Sequence, residues 1–352
     1  MTVSSDVVRI PRSVEQIDLA WFRQFMPMSL IGAQVDTVIH GTATKVKVRL
    51  SPIRGTEFFV WVKTGLEPHS TSIGNERVYA GESFFYKEFG GKYETRTPDC
   101  YFAETDDDGH SAIVLEDLDA HGAKFVEITD PATPDLIANG LEYIARYQAA
   151  SWMDPELYQI DWLREGGAFS AANCLDWIYN PEHWNDYSKR PRFYAFPEPL
   201  RSRDKLEAAH RKLRNDHLCR APWALSHGDA HYGQIYTLPN GEVRLIDWQC
   251  VQIAHYAQDP SNLITSGLAK EDRRRHEREL LAHYADCLKG FGVENPPSAD
   301  EAFDEFKRFL MHQVSWVMCL TEMQPEENCV AIADRAGAAA MDHNTVELLL
   351  AG

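Results

Sequence analysis

The spacing of apolar residues changes about a third of the way along this chain of 352 residues. In residues 33–62 apolar and polar side chains alternate, a pattern typical of strands with one buried face. From about residue 130 onward, apolar residues recur at the spacing of helices. The two patterns predict an α+β protein with two lobes, a small antiparallel β-sheet N-lobe with one helix and a larger, mainly α-helical C-lobe.

The N-lobe is predicted to hold five strands. Turns at Gly41 and Gly55 separate the first three, and residues 74–89, with glutamate and aromatic residues at helical spacing, are predicted to form the helix. Two further strands, CYFAET and SAIVLEDL, are joined by the turn DDDGH. The spacing of Asp106 and Asp108 hints at a calcium loop, but the closing glutamate is missing, so we predict a solvated turn.

The C-lobe is predicted to be a set of helices interrupted once. Residues 222–248 are typical of a loop, a strand, a turn at Asn240-Gly241 and a second strand. These patterns place the boundary near Leu118, which divides the chain into residues 1–118 and 119–352. The predicted helices have the sequences PDLIANGLEYIARYQAASWM, RDKLEAAHRKLRNDHL, RRRHERELLAHYADCL, DEAFDEFKRFLMHQVSWVMCL and AIADRAGAAAMDHNTVELLL.

Charge and cysteine content exclude several classes of protein. The chain has 35 Lys+Arg and 53 Asp+Glu, a formal charge of −18, and no dense basic run, which argues against broad binding to nucleic acid or anionic membrane. Seven scattered cysteines without a C-x-x-C motif favour neither a disulfide framework nor a zinc ribbon. Neither a signal-peptide core nor a long apolar stretch is visible, so a cytoplasmic location is expected.

One segment, LSHGDAHYGQIYTLPNGEVRLIDWQ at residues 225–249, carries most of the chemistry. It places Asp229 in a Gly-containing loop, a carboxamide at Gln234 five residues later, and a second acid, Asp247, at the end of an apolar strand. Phosphoryl transfer needs such a set, in which one carboxylate takes the proton of the acceptor hydroxyl and other oxygen ligands hold Mg²⁺ against the phosphates.

His227-Gly228-Asp229, followed by the carboxamide and by the sequence IDWQ, resembles the catalytic loop and metal-binding aspartate of the aminoglycoside phosphotransferase and choline/ecdysteroid kinase-like families. These families are small-molecule relatives of the protein-kinase fold. The resemblance implies a small-molecule kinase that phosphorylates a substrate hydroxyl with the help of Mg²⁺. The expected phosphoryl donor is ATP, with GTP as the second choice. It implies that Asp229 is catalytic, that Gln234 and Asp247 bind the metal, and that the loop is supported by His227, His231 and Asp259.

The resemblance also extends upstream. It implies that a strand lysine neutralises the nucleotide phosphates, that a helix glutamate pairs with it, and that the segment VLEDL binds adenine through its backbone. The segment HGTATK matches the nucleotide-binding loop of these kinases. It has one glycine, so its phosphate contacts are expected from backbone N–H groups and threonine hydroxyls. The strand lysine is Lys63 and the helix glutamate is Glu82. The threonines of the loop are Thr42 and Thr44, and the adenine segment contains Glu116 and Leu118.

Gln234 departs from the family, which usually has asparagine there. Glutamine keeps the amide oxygen but adds one methylene, about 1.5 Å of reach. This departure motivates one alternative, a kinase-like protein that binds nucleotide and does not turn it over. A second alternative is a metallohydrolase, because His227-x-Asp229-x-His231 on a strand would direct three zinc ligands to one face.

Simpler roles for the same residues also remain open. Asp229 is also a common turn residue, Asp247 a helix cap, and Lys63 a typical surface lysine. Aromatic residues are dense in residues 163–200, where they would either line a pocket for a bulky alcohol or pack in the core. The sequence leaves the acceptor and the oligomeric state open.

Overall fold

A computed structural model of the chain describes residues 8–68, 76–164, 172–218 and 220–351. The chain divides into two compact units. The first comprises Met1–Gly90 and Pro98–His121, and the second comprises Gly91–Thr97 and Gly122–Gly352. Residues 91–97 group with the second unit because Arg96 forms an ion pair with Glu242, 2.7 Å away, and the Thr95 carbonyl accepts a hydrogen bond from Tyr143.

The first unit is built on a five-stranded antiparallel sheet with the order β1-β2-β3-β5-β4. The alternating sequence pattern explains it, because the valines of β2 and β3 are fully buried on one face while lysine and arginine alternate with them. The strands are β1 Leu30–Ile39, β2 Thr44–Pro52, β3 Phe58–Thr64, β4 Cys100–Thr105 and β5 Ser111–Glu116.

The core of this unit lies on the face of the sheet that carries those valines. The short helix Leu19–Phe22 contributes Trp21 and Phe22 to it, and Phe102 of β4 packs edge-on against Trp21 with ring centroids 5.6 Å apart. The predicted N-lobe helix is present as Glu76–Phe89. A one-turn 3₁₀ helix, Val14–Gln16, precedes the core residues, and another, Leu118–His121, ends the unit.

The second unit is mainly helical. Its long helices carry apolar faces, and Ala299–Trp316 begins with a full capping box between Ser298 and Glu301. A π-helical turn, Leu213–Leu218, extends one of the shorter helices. The α-helices are Pro134–Ala150, Asp161–Arg164, Ala172–Ile178, Pro181–Tyr187, Pro191–Ala195, Arg203–Lys212, Gln258–Gly267, Lys270–Gly290, Ala299–Trp316, Glu326–Asp342 and Thr345–Ala351.

Two small antiparallel sheets interrupt these helices. One has the order β6-β8-β9, and the other pairs β10 with β7. Together with the helices they confirm the predicted fold class, a mixed structure with an antiparallel N-terminal sheet and a larger helical C-terminal part. The strands are β6 Lys124–Phe125, β7 Trp223–Ser226, β8 Ile235–Thr237, β9 Val243–Leu245 and β10 Gln252–His255.

The structure differs from the sequence prediction at several places, of which two concern the long helices and the site. The last predicted helix is two helices, because Asn344 adopts a positive φ of 48° and ends the first of them. Strand β10 and the helix Gln258–Gly267 were not predicted. In the described part of the chain, none of the helices combines the length and apolar character needed to cross a membrane.

Candidate active site

The buried carboxylate of Asp259 fixes the loop that carries Asp229 by hydrogen bonds. Its oxygens accept hydrogen bonds from the backbone N–H groups of His227 (2.8 Å) and Gly228 (3.1 Å). They also accept from the hydroxyls of Ser226 (2.8 Å) and Tyr147 (2.6 Å). Asp259 is fully buried in the first turn of its helix, so these donors replace the water that its charge would otherwise require.

Gly228 lets this loop approach a neighbouring segment very closely. Its φ is +80°, and a Cβ atom at this position would lie 1.9 Å from the carbonyl oxygen of Cys250. No residue with a side chain fits such a space without movement of the backbone. The chain therefore needs glycine immediately before Asp229 for a steric reason.

The hairpin β8–β9 brings Gln234 and Asp247 to the same place. Ile235 pairs with Leu245, and the N–H of Ile246 donates to the carbonyl of Gln234 at 3.0 Å, so the residues that flank the hairpin are neighbours. The ring of His227 ties the catalytic loop to this end, because its Nε2 lies 2.9 Å from the carbonyl oxygen of Ile246. Three separated parts of the sequence thus meet around one point.

Asp229 lies in this place with one oxygen unsatisfied. The residue is buried, and its Oδ1 has no hydrogen-bond partner within the described residues. Burial raises the pKa of Asp229 well above its ordinary value, and the negative charge of Asp247 raises it further. Interactions with the side chains of Trp316 and Gln234 oppose this shift. A buried carboxylate beside a second acid is the kind of group that a cation or a proton would stabilise.

Asp247 adopts a left-handed backbone conformation, with φ 70° and ψ 62°. This conformation is unfavourable for a residue with a Cβ and is found most often where the surroundings impose it. Here a strand, β9, comes before Asp247 and a 3₁₀ turn, Trp248–Cys250, follows directly. The sharp change of direction leaves Asp247 half-buried at the edge of the site, next to the fully buried Trp248.

His231 acts inside the loop. Its Nδ1 accepts the N–H of Gly233 at 3.0 Å, and its Nε2 is 3.1 Å from the side-chain amide of Gln234. The ring of Trp316 lies against it with centroids 4.6 Å apart. Burial lowers the pKa of His231 to about 3, so the ring is neutral at physiological pH. Its contacts make it a group that holds Gln234 in place.

In the first unit, Lys63 and Glu82 form the predicted ion pair, with Nζ and Oε2 2.6 Å apart. Lys63 lies on β3, where it pairs with Lys45 of β2 and Ile113 of β5. Glu82 is buried on the helix Glu76–Phe89. The strand continues through Lys63 to Thr64, two residues beyond the apolar run that ends at Val62.

The other predicted nucleotide residues of this unit have local partners. The Thr44 side chain is buried, and its hydroxyl donates to Glu67 at 2.6 Å. Thr42 is half-buried, and its carbonyl accepts from Tyr79. In the segment after β5, Glu116 accepts the N–H of Asp99 at 2.9 Å and lies 2.6 Å from His121. Leu118 is buried.

The structure speaks against the zinc alternative. Residues 227–231 form a loop and not a regular strand. Both ring nitrogens of His227 are engaged, Nε2 with Ile246 and Nδ1 with the N–H of Asp229. Within the described ranges, the one group of three or more His, Cys, Asp or Glu close enough to share a metal is at the exposed turn of Asp106, Asp108 and His110.

Most of the described aromatic residues of 163–200 are packed against one another. Tyr179, Tyr187 and Phe196 are buried, and Trp184 contacts Tyr187 with ring centroids 5.3 Å apart. Tyr194 is exposed, and Phe169 lies outside the described residues. Core packing accounts for the buried members of this group.

Sequence reasoning missed two groups that act on the catalytic loop. Trp316, at the end of a helix far along the chain, packs against His231 of the loop, and Gln258 donates to the carbonyl of Gly228 at 3.1 Å. Neither belongs to a recognisable local motif. The signal that could have located Gln258 is its position next to Asp259, which the motif resemblance did single out.

A family model matches residues 224–335, about a third of the chain, and its description reads "DUF1679: Uncharacterized oxidoreductase dhs-27". The matched range contains Asp229, Gln234, Asp247, Asp259 and Trp316. No curated protein matches the sequence.

Several solved structures are similar to this one. The choline kinase LicA from Streptococcus pneumoniae has 13% identity and a TM-score of 0.43 over 92% of this chain and 95% of that one. A putative fructosamine-3-kinase from Thermobifida fusca has 15% identity and a TM-score of 0.47 over 94% and 99%. A spectinomycin phosphotransferase in complex with ADP and spectinomycin has 12% identity and a TM-score of 0.46 over 97% and 99%. These are proteins of the kinds that the motif of residues 227–249 resembles.

Proposed function

We propose that this protein is a Mg²⁺-dependent kinase that transfers the γ-phosphoryl group of ATP to a hydroxyl of a small molecule. The observation that carries the proposal is the arrangement around Asp229, a buried carboxylate with an unsatisfied oxygen beside a second acid, Asp247, and the amide of Gln234. Phosphoryl transfer depends mainly on such positioning and on charge stabilisation.

Asp229 is the proposed general base. Its Oδ1 would accept the hydrogen bond of the substrate hydroxyl and orient the hydroxyl oxygen for attack on the γ-phosphorus. The role therefore needs a side chain that is fixed in place, and the loop bonds from Asp259 provide that rigidity.

The residues present fit a Mg²⁺ ion. Asp247 and Gln234 offer the oxygen ligands that this ion prefers, and the repulsion between Asp229 and Asp247 is the kind that a cation relieves. When bound, the ion would neutralise charge on the phosphates of the nucleotide. The contact of His231 with the Gln234 amide supports the longer side chain that stands where the family usually has asparagine.

Lys63 is proposed to neutralise the nucleotide phosphates, with Glu82 fixing its ammonium group. The hydroxyl of Thr44 already bonds Glu67, so phosphate contacts from HGTATK are proposed to come chiefly from backbone N–H groups. The segment that includes Glu116 and Leu118 is proposed to bind adenine through its backbone.

The word "oxidoreductase" in the description of the matching family does not change this proposal. Nicotinamide dinucleotides are commonly bound by a parallel βαβ unit with a glycine-rich turn. The strand pairs described within residues 223–255 are antiparallel. The sequence also lacks the G-x-G-x-x-G pattern of that turn.

An acceptor panel tests the proposal. Purified protein would be incubated with Mg²⁺ and ATP and with amino sugars, amino alcohols, macrolides, sterols or hydroxyacyl thioesters, and products would be read by mass spectrometry. We expect at least one acceptor to gain one phosphoryl group with the release of one ADP. Thermal stabilisation by Mg-ATP with no product and no ATP consumption across the panel would favour a nucleotide-binding protein without transfer activity and contradict the proposal.

A further inference from the structure

Two cysteines of the second unit lie close together. The Sγ atoms of Cys319 and Cys329 are 4.0 Å apart, and both thiols are free. Cys319 is half-buried in residues 317–325, which connect the helices Ala299–Trp316 and Glu326–Asp342. Cys329 is fully buried near the start of the second of these helices. Cys319 is thus the partly exposed residue of the pair, and Cys329 is shielded from solvent.

Arg192 contacts Cys319, the partly exposed cysteine. Its side chain is buried and donates to the carbonyl oxygens of Val317 and Cys319, both at 3.1 Å. It also donates to Glu326 at 2.7 Å and contacts the Cys319 sulfur at 3.6 Å. The guanidinium group thereby fixes the segment that carries Cys319 against the start of the helix that carries Cys329.

The surroundings of the two thiols differ in a way that assigns their roles. The hydrogen bond from Cys329, together with the charge of Arg192, lowers the pKa of Cys319. The same bond and burial raise the pKa of Cys329. Cys319 is the sulfur that ionises, and Cys329 remains a thiol next to it. Redox-sensing proteins commonly have a partly exposed cysteine with a lowered pKa next to a second cysteine.

We propose that Cys319 and Cys329 form a reversible oxidation site that reacts with a hydroperoxide, Cys319 as the first sulfur attacked and Cys329 as the resolving thiol. This inference does not depend on the proposed kinase activity.

The chemistry balances in two steps. The Cys319 thiolate attacks the terminal oxygen of the hydroperoxide, the O–O bond breaks, and sulfenic acid forms as the sulfur is oxidised and the peroxide is reduced to hydroxide or alkoxide. The Cys329 thiol then attacks the sulfenic sulfur, a disulfide forms, and one water leaves with the thiol proton. A dithiol reductant reverses the reaction by thiol–disulfide exchange.

The geometry allows the second step with a small movement. A disulfide bond is about 2.05 Å long, so the sulfurs must approach by about 2 Å. Cys329 is fixed in a helix, whereas Cys319 lies in a connecting segment outside regular secondary structure. The movement therefore falls on Cys319 and on its contacts with Arg192.

Peptide mapping tests the site in the unmodified protein. Trypsin releases both cysteines in one peptide, residues 309–335, which contains no other cysteine. The full-length native protein would be treated with hydrogen peroxide, alkylated and digested. We expect this peptide to lose two hydrogen atoms in mass and to become resistant to alkylation, and dithiothreitol to restore it. A peptide that stays fully reduced would overturn the proposal.

Cys287 provides an internal comparison. It is also half-buried, but burial raises its pKa to about 11. Cys319 should therefore have the larger thiolate fraction at neutral pH, which outweighs the weaker nucleophilicity of a thiol with a lower pKa. We expect Cys319 to be oxidised faster than Cys287. Equal rates at the two cysteines would contradict the assigned environment.

Single variants separate the two roles. In Cys329→Ser, Cys319 should stop at sulfenic acid and be trapped by dimedone, because the resolving thiol is missing. In Cys319→Ser, Cys329 should remain reduced at the same dose of hydrogen peroxide. Trapping on Cys329 and not on Cys319 would overturn the assignment. Both replacements are small, and the mapping of the wild-type peptide does not require either of them to fold.

Discussion

At the scale of single residues, the site is defined by polar side chains that are buried and bonded. Asp229 and Asp259 are both almost without solvent contact, yet their surroundings differ. Asp259 has four donors, whereas Oδ1 of Asp229 has no partner among the residues that are described. The first arrangement satisfies a buried carboxylate completely, and the second leaves an acceptor for another molecule.

The ion pair of Lys63 and Glu82 gives a prediction at this scale. Replacing Lys63 by methionine would remove the ammonium partner of the buried Glu82 carboxylate, so the variant Lys63→Met should be combined with Glu82→Gln. Loss of a charge-assisted contact with the phosphates should lower kcat/KM for ATP about 10- to 100-fold. Steady-state kinetics with varied ATP measures this.

The control for that experiment is Lys87→Met. Lys87 forms a pair of the same 2.6 Å length with Glu104, but both side chains are largely exposed. We expect its kinetics to match the wild type. An ATP dependence that is unchanged in the Lys63 variant as well would show that Lys63 has no role with the nucleotide.

At the scale of elements, two short connections place the chemistry. The loop after β7 carries Asp229, and the hairpin β8–β9 carries Gln234 and Asp247 at its open end. The hairpin itself contributes nothing chemical. It brings Gln234 and Asp247, which are thirteen residues apart in the sequence, next to each other in space.

Gly228 tests how closely this loop is fitted. A methyl group at Gly228 would meet the Cys250 carbonyl oxygen at 1.9 Å and would also occupy a positive φ. We expect Gly228→Ala to lower the free energy of unfolding by more than about 2 kcal/mol and to reduce activity. Denaturant unfolding followed by circular dichroism measures the change.

Gly241→Ala separates strain from contact. Gly241 has nearly the same φ, +83°, but none of the described residues would come within 4 Å of a Cβ atom at this position. We expect this variant to lose only about 1–2 kcal/mol, the cost of a left-handed residue with a Cβ. Equal losses at the two glycines would mean that the close approach to Cys250 is not important.

The sequence predicts some elements well and others poorly for physical reasons. The alternating residues of β2 and β3 bury one face and were found from their period. The helix Gln258–Gly267 is buried on all sides although six of its ten residues are polar, so its composition does not indicate a buried helix. Strand β10 has only four residues and is defined by its pairing with β7, which no local pattern records.

The same distinction applies to the site. The acids and the amide were found because their spacing along the chain is informative. Trp316 was not, because its contact with Asp229 depends on tertiary packing. The role of His231 as a holder of Gln234 also needed atomic positions. Residues that support a site are harder to predict than residues that form its motif.

At the scale of the whole molecule, buried neutral histidines link stability to pH. Burial lowers the pKa of His210, His231 and His255 to about 3 and that of His312 to about 4. An unfolded histidine titrates near 6.5, so below that pH the unfolded chain binds more protons than the folded one. Stability is therefore complete above pH 6.5 and is lost as the pH falls.

We expect each of these histidines to cost about 1.4 kcal/mol of unfolding free energy by pH 5.5. Asp229 acts in the opposite direction, because its raised pKa lets the folded state bind a proton first. Several kcal/mol should still be lost between pH 7.5 and 5.5. Urea unfolding at three pH values in this range measures the slope.

The variant His255→Phe measures how much of this pH dependence of stability comes from His255. His255 stacks on Phe309 with ring centroids 5.2 Å apart, so His255→Phe removes one titrating group from a packed position. The stability lost between pH 7.5 and 5.5 should shrink by about 1.4 kcal/mol, the contribution of one histidine. Phe309→Leu is the control, since it disturbs the same contact without removing a titrating group and should keep the slope. An unchanged slope in His255→Phe would contradict the account.

The central claim is that Asp229 takes the hydroxyl proton during phosphoryl transfer, and the most direct measurement compares wild type with Asp229→Asn. Product formation would be followed with Mg-ATP and an acceptor from the panel, with thermal unfolding as the test of folding and Asp286→Asn, an exposed acid, as the control. We predict that turnover falls about 10²- to 10⁴-fold in Asp229→Asn while the fold and the KM for ATP are retained. Turnover equal to that of the wild type in a folded Asp229→Asn variant would contradict the claim.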